Sequence, residues 1–163
     1  MRTLLLAIGV SMLVAASVNV AAQPVVFVVR HGEKLDNTPD TILSAEGEAR
    51  AQRLAKMLAA SGVGAIYTTQ YQRTILLAAP TARRFGISSV VVPAKETETL
   101  LAKIRAHGKS EAVLVVGHSN TVPAILKGLG YAPELVIAED EFDNFFVLIP
   151  QAAGPPVVVR LKY

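Results

Sequence analysis

The chain has 163 residues, of which 52% are hydrophobic and 18% are charged. This composition excludes intrinsic disorder and predicts one folded domain with its own hydrophobic core. The net charge is +3, with no run of Lys or Arg and only 6% aromatic residues, so nucleic acid is not expected as a partner. The absence of cysteine excludes disulfides, thiolate chemistry, zinc–cysteine sites and a lipoprotein anchor.

The first 22 residues have the pattern of a secretory signal peptide. A basic residue precedes an apolar run at residues 4–18, and small residues at 20–22 offer a cleavage site. The run is shorter than the roughly 20 residues that a membrane-spanning helix needs. We therefore expect residues 23–163 to form the mature domain, which would be periplasmic or secreted and not stably inserted in a membrane. An uncleaved leader that anchors the protein is the alternative.

The first half of the mature chain alternates predicted strands and helices. A continuous β-branched run at residues 24–29 predicts a strand buried on both faces. Ser44 is expected to cap a helix that ends at Ser61-Gly62. Pro80 lies inside the next helical pattern, where it predicts a kink or a restart. The elements that follow the first helix are a strand at 64–68, a helix at 71–85 closed by Gly86, and a strand at 90–92.

The second half continues the alternation and then changes to two adjacent strands. The predicted elements are a helix at 96–107, a strand at 112–116, a helix from about 120 to Leu126, and strands at 145–149 and 157–161. Strands alternating with helices predict an α/β fold with a mainly parallel sheet, and the last two strands predict a hairpin at its edge. In such sheets ligands bind beyond the carboxyl ends of the strands.

Histidine and arginine side chains follow the predicted strands at this edge. Arg30-His31-Gly32-Glu33 comes directly after the first buried strand, and Gly117-His118-Ser119 follows the strand at 112–116. Arg73 lies a few residues past the strand at 64–68. If these strands are parallel neighbours, two histidines and two arginines converge at one edge of the sheet. Such a pocket suits a phosphoryl group, and helix N-termini would add partial positive charge.

Two histidines in one anion pocket permit a division of labour. A neutral imidazole could attack phosphorus in line and become a phosphohistidine, with a backbone carbonyl accepting the other ring proton and fixing the tautomer. The second histidine, in its charged form, would donate to a phosphate oxygen. A metal site is not expected, because no clustered carboxylate accompanies the histidines and the arginines beside them would repel a cation.

The ordered set of motifs resembles the histidine phosphatase superfamily, also called the phosphoglycerate mutase-like family. The matching residues are Arg30-His31-Gly32-Glu33, Leu43-Ser44-Ala45-Glu46-Gly47, Ile66-Tyr67-Thr68-Thr69 with Arg73, and Gly117-His118-Ser119-Asn120. The resemblance covers most of residues 23–163 and implies a three-layer α/β/α sandwich. Its sheet would be mostly parallel, with an antiparallel edge strand or hairpin.

The resemblance also implies roles for individual residues. His31 would be the nucleophile, and Arg30, Arg73 and His118 would form the rest of the phosphate pocket. Asn37 stands where many members place a further substrate-binding asparagine. The size of the chain is similar to that of short bacterial members that act as protein phosphohistidine phosphatases, and to exported relatives that act on envelope phosphates.

The proton donor to the leaving group is the least defined part of this site. Glu96 and Glu98 lie in the region where mutase-like members place it, but the long insertion of those members is nearly absent here. The two residues after His118, where phytase-like members carry an acid, are not acidic. Glu33 and the acidic stretch at residues 139–143 are further candidates, although this stretch is most simply a solvated loop.

The sequence therefore predicts a phosphatase that needs neither metal nor cofactor and hydrolyses a phosphomonoester or phosphoramidate through a phosphohistidine on His31. Its partner would be a phosphorylated small molecule, an envelope phosphate or a phosphoprotein. A weakly defined acid favours good leaving groups, and the missing cap leaves room for a bulky substrate. A non-catalytic module that binds a phosphorylated ligand in the same pocket is the alternative. Mutase activity is disfavoured, because the short loop cannot close over an intermediate.

Overall fold

The structure, a computed structural model, describes residues 23–108 and 110–163, so the predicted leader lies outside the described residues. In chain order the elements are β1 (Val26–Arg30), α1 (Ala45–Met57), β2 (Val63–Thr68), α2 (Gln72–Phe85), β3 (Ser89–Val91), α3 (Thr97–Arg105), β4 (Ala112–Gly117), α4 (Thr121–Gly128), β5 (Asn144–Ile149) and β6 (Val157–Lys162). Each predicted strand and helix is present, with bounds shifted by a few residues.

The strands form one mixed sheet with the order β3-β2-β4-β1-β5-β6. β1 pairs in parallel with β4, and β2 pairs in parallel with both β4 and β3. β5 pairs antiparallel with β1 and with β6, so the predicted hairpin forms one edge of the sheet. The parallel half therefore places the carboxyl ends of β1, β2 and β4 side by side.

The sheet is covered by helices on both faces. Alternate residues of β1 point to opposite cores, with Val26 and Val28 in one and Phe27 and Val29 in the other. The first core includes apolar residues of α3 and α4, and the second includes residues of α1 and α2. This arrangement is the predicted α/β/α sandwich, and it explains why β1 is apolar on both faces.

Local signals mark several element ends. The Ser44 hydroxyl accepts a hydrogen bond from the Gly47 amide at 3.2 Å, which caps α1 as predicted. Gly86 closes α2 with a φ of 65°, a left-handed conformation that favours glycine. Of the kink or restart expected at Pro80, the restart is wrong, because α2 continues through the proline as one helix. Buried residues before and after the proline, Leu77 and Thr81, hold both halves of α2 in place.

Among the residues that the structure describes, no helix combines the length and the apolar character needed to cross a membrane.

Candidate active site

The two histidines and two arginines singled out in the sequence line one cavity at the carboxyl ends of the parallel strands. Arg30 at the end of β1 is the register partner of Gly117 at the end of β4, and the His31 amide donates to the Gly117 carbonyl at 2.9 Å. His118 follows directly, and Arg73 enters from the first turn of α2. The cavity has a volume of about 470 Å³, so it has room for more than a phosphoryl group.

Two glycines let the turn after β1 lie against the start of α1. A Cβ atom on Gly32 would come within 3.1 Å of the Gly47 Cα, and one on Gly47 would overlap the Glu33 carbonyl oxygen. The Ser44 amide also donates to the Glu33 carbonyl at 2.9 Å. This close backbone approach fixes the turn that carries His31.

The imidazole of His31 is held in one tautomer. Its Nδ1 lies 2.7 Å from the carbonyl oxygen of Gly32, which can only accept, so Nδ1 carries the proton and Nε2 keeps its lone pair. The side chain is only 3% exposed. Burial, followed by the nearby charges of His118, Arg30 and Arg73, lowers the pKa of His31 to about 3, so the ring is neutral at physiological pH. An uncharged Nε2 is the form that can attack phosphorus.

The imidazole of His118 has the opposite hydrogen-bonding pattern. Its Nε2 lies 2.9 Å from the Thr69 hydroxyl, and its Nδ1 lies 3.5 Å from an Nη atom of Arg73. A guanidinium can only donate, so Nδ1 accepts and Nε2 donates to Thr69. The Thr69 hydroxyl in turn lies 3.1 Å from that of Thr74. Nδ1 is therefore the nitrogen that would have to gain a proton before the ring could donate to an anion.

The charge of His118 differs from the sequence-based expectation. Burial, then Arg73 and Arg30, lower the pKa of His118 to about 4. The charged form that we expected is therefore not the form of the protein on its own at neutral pH. A phosphoryl dianion next to Nδ1 would favour the protonated ring, so anion binding and proton uptake at this residue are coupled.

The guanidinium of Arg30 is held by a loop more than 100 residues away in the chain. One Nη atom donates to the carbonyl oxygens of Ala138, at 2.7 Å, and Glu141, at 3.2 Å, and the other donates to a carboxylate oxygen of Glu139 at 3.0 Å. The ring of Phe142 lies 4.3 Å from the guanidinium carbon. The side chain is 1% exposed, and its Nε has no hydrogen-bond partner among the described residues. The Nε–H and one Nη–H are therefore left for a ligand.

The segment at residues 138–142, which we call the bracing loop, was interpreted from the sequence as a solvated loop. It is exposed in part, but it fixes the orientation of Arg30. The acidic composition gave no signal of this role, because two of the contacts are made by main-chain carbonyls.

Arg73 reaches the cavity from the side. One Nη atom donates to the Pro39 carbonyl at 3.0 Å, and the Tyr71 ring lies 4.4 Å from the guanidinium carbon. Asn37, predicted to bind substrate, also lines the cavity, where its amide oxygen accepts from Lys34 at 3.4 Å. Lys34 was not singled out in the sequence, although it lies three residues after His31 on the same turn.

The glutamates proposed as proton donors lie in different places. Glu96 precedes α3 and lines a separate, smaller hollow, and Glu98 lies in the first turn of α3, so neither lines the cavity that holds the histidines. Glu33 accepts two hydrogen bonds from the Nε of Arg50, at 3.0 and 3.1 Å, and is committed to that ion pair. Its pKa is raised by burial but lowered more by Arg50, and it stays ionised.

Metal-ligating residues do not cluster in residues 23–108 or 110–163, where no group of three or more His, Asp or Glu side chains could hold an ion. The cationic groups of the cavity are two arginines and a lysine, and two neutral histidines stand beside them. These cationic groups match the charge of a phosphoryl oxyanion directly.

Comparisons with known proteins agree with this geometry. Residues 26–100 match the family model described as the histidine phosphatase superfamily, branch 1. No curated protein sequence matches the chain. Over residues 26–100 the chain is therefore similar to the histidine phosphatase superfamily, and this similarity supports a phosphatase enzyme.

Solved structures share the fold. A protein from Agrobacterium tumefaciens assigned as the phosphohistidine phosphatase SixA superposes with a TM-score of 0.59 at 23% identity, covering 76% of this chain and 90% of that chain. The protein histidine phosphatase SixA complexed with tungstate gives 0.66 at 17% identity, with coverage of 85% and 96%. A phosphoserine phosphatase from Entamoeba histolytica, in complex with 3-phosphoglyceric acid, gives 0.63 at 14% identity, with coverage of 86% and 97%.

Proposed function

We propose that this phosphatase works without a metal ion and transfers the phosphoryl group of its substrate to Nε2 of His31. The observation that carries the proposal is the hydrogen bond from Nδ1 of His31 to the Gly32 carbonyl, which leaves Nε2 unprotonated inside a cationic cavity. In the first step Nε2 displaces the leaving group, and in the second step water hydrolyses the phosphohistidine. The guanidinium groups of Arg30 and Arg73 stabilise the negative charge on the transferred oxygens.

The substrate class follows from the shape and charge of the cavity. The opening is wide, and residues such as Lys34 and Asn37 stand at its side. We propose a phosphomonoester or phosphoramidate borne by a small molecule, an envelope component or a protein. Two of the proteins that share the fold are named for phosphohistidine and phosphoserine, which supports both bond types. Export to the periplasm or the outside of the cell is part of the proposal and rests on the leader pattern at residues 1–22.

Phosphate release from p-nitrophenyl phosphate and from a phosphohistidine-containing peptide tests the proposal. The protein should release phosphate from at least one of the two, and a chelator should leave the rate unchanged. A strong loss of rate with chelator that is restored by a divalent metal would contradict the metal-free mechanism. Tight tungstate binding with no phosphate release from any substrate would identify a non-catalytic module instead.

A further inference from the structure

Glu139 holds a position at the mouth of the cavity that the reaction proposed above does not yet use. One carboxylate oxygen accepts from Arg30 at 3.0 Å, and the other accepts from the Ser119 hydroxyl at 2.6 Å. The side chain is 81% exposed, although both of its partners belong to the cavity. Of the carboxylates among the described residues, only that of Glu139 lines this cavity.

In-line transfer places the leaving oxygen on the mouth side. The nucleophilic His31 is almost fully buried, so it attacks phosphorus from the floor of the cavity. The bond that breaks must lie roughly opposite the attacking nitrogen. The leaving oxygen therefore points toward the opening, where Ser119 and Glu139 stand.

We propose that Glu139 is the proton donor to the leaving group in the first step and the base that accepts a proton from water in the second. The inference rests on the proposed function, because it requires a phosphoryl group bound between His31 and the opening. Ser119 acts as a positioning residue, since its hydroxyl holds one carboxylate oxygen next to His118.

A bound phosphoryl anion raises the pKa of Glu139, so that the carboxyl group can hold the proton that it donates. On its own, Glu139 is ionised, because the Ser119 hydroxyl and then the charges of Arg30 and Lys34 keep its pKa below the usual range. A phosphoryl dianion would take hydrogen bonds from Arg30 and place negative charge beside the carboxylate. Both effects raise the pKa of Glu139 toward neutrality, where a general acid is most effective.

Other groups at the cavity are poorer candidates for the donor. The neutral ring of His118 donates from Nε2 to Thr69 and accepts at Nδ1 from Arg73, so it directs no proton at the leaving oxygen. The amide of Asn37 has no proton to transfer at neutral pH. The carboxyl group of Glu139 lines the cavity on the mouth side, where the leaving oxygen points.

The two steps balance in atoms and charge. In the first step the bond from Nε2 of His31 to phosphorus forms, the bond from phosphorus to the leaving oxygen breaks, and the Glu139 proton passes to that oxygen. In the second step a water oxygen attacks phosphorus and gives a proton to the Glu139 carboxylate. The nitrogen–phosphorus bond then breaks, its electron pair returns to Nε2, and phosphate leaves.

A pair of substrates that differ in leaving group separates this role from a structural one. We would compare p-nitrophenyl phosphate with phenyl phosphate, which lacks only the nitro group and has a much more basic leaving oxygen. The test variant is Glu139→Gln, which keeps hydrogen-bonding capacity toward Arg30 and Ser119. The matched control is Asp140→Asn, which removes the same charge one residue along the loop and outside the cavity lining.

Glu139→Gln should lower kcat/KM for phenyl phosphate by about 10²-fold or more, the range of general acid catalysis, and that for p-nitrophenyl phosphate by less than about fivefold. With p-nitrophenyl phosphate it should also show a burst of p-nitrophenol followed by slow turnover, because the second step has lost its base. Asp140→Asn should stay within about threefold of wild type on both substrates.

Three outcomes would overturn the inference. An equal loss on both substrates would assign Glu139 to binding or folding, and unchanged hydrolysis of phenyl phosphate would remove it from the reaction. An equal loss of kcat/KM in Glu139→Gln and Asp140→Asn would mean that the effect comes from the negative charge of the loop and not from a proton donor. In each of these cases the wild-type protein still hydrolyses phosphate esters, so the proposed function stands. A wild-type protein that hydrolyses neither ester nor the phosphohistidine peptide would overturn both.

Discussion

The turn after β1 and the turn after β4 are built alike, but they hold their histidines in opposite tautomers. Each turn follows a fully buried strand and places an imidazole one residue beyond it. In the first turn a main-chain carbonyl accepts a hydrogen bond from Nδ1–H of His31, so Nε2 keeps its lone pair. In the second turn the Thr69 hydroxyl accepts a hydrogen bond from Nε2–H of His118, and Nδ1 faces Arg73.

The ring centroids of the two histidines are only 5.2 Å apart, yet their hydrogen-bond partners fit them for different roles. Both rings are neutral in the protein on its own, with pKa values of about 3 and about 4. The partner of each ring, and not its burial, decides which nitrogen can act. His31 is set to attack, and His118 is set to gain a proton and bind when an anion arrives.

The largest expected effect comes from His31. His31→Gln removes the attacking nitrogen and should abolish measurable turnover of p-nitrophenyl phosphate. The matched control is His107→Gln, whose histidine is hydrogen-bonded to the Tyr67 hydroxyl outside the cavity. Near-normal activity of a correctly folded His31→Gln protein would show that His31 is not the nucleophile.

Arg30 is the next most sensitive position. Arg30→Met should lower kcat/KM by about 10²–10³, the loss seen when a preorganised donor to a transition state is removed. It should also lower the melting temperature, because the carbonyls of Ala138 and Glu141 lose their donor. Arg84→Met, on an exposed part of α2, is the control and should change neither quantity. An equal loss of kcat/KM in Arg30→Met and Arg84→Met would mean that the placement of the Arg30 guanidinium in the cavity does not matter for catalysis.

The coupling of His118 to anion binding gives a pH dependence of defined sign. Tungstate keeps its charge between pH 5 and 8, and its binding should raise the pKa of His118 from about 4. The bound state then holds more protons, so affinity should increase as the pH falls through this range. Glu139 contributes in the same direction, and the comparison is therefore made in Glu139→Gln protein.

Adding His118→Gln to Glu139→Gln should weaken tungstate binding at pH 5 and flatten the remaining pH dependence. Calorimetric titration in buffers of different ionisation enthalpy measures both the affinity and the protons taken up. An unchanged pH slope in the double variant would show that His118 does not gain the proton.

The smallest expected effect concerns the tautomer of His118. Thr69→Val removes the acceptor of the Nε2 proton with little change in shape. A neutral hydrogen bond contributes about 1 kcal/mol, so kcat/KM should fall only about fivefold. Thr69→Ser restores a hydroxyl and should recover most of the rate. A loss of about 10²-fold or more would mean that Thr69 takes part in the reaction itself.

Much of the frame of this site could be predicted from local sequence signals. The β-branched run before Arg30, the Ser44 cap and the Gly86 stop each act within a few residues, and the parallel order of the strands brings their ends together. Four cavity residues could be predicted because each lies at the end of a strand or within a few residues after it.

The remaining features depend on contacts between distant segments. The bracing loop meets Arg30 from more than 100 residues away, and Thr69 meets His118 from 49 residues away. No periodicity or spacing encodes such pairs. The charge of His118 could not be predicted either, because its pKa depends on how deeply the folded chain buries the ring.

The central claim is that Nε2 of His31 carries the phosphoryl group during turnover. The direct measurement is to quench the reaction with alkali, in which phosphohistidine survives, and to locate the phosphorus by mass spectrometry and by phosphorus–nitrogen coupling in ¹⁵N-histidine protein. The label should lie on Nε2 of His31 and be absent from His31→Gln. Phosphorus on Nδ1, on another residue, or on no residue while turnover continues would contradict the account.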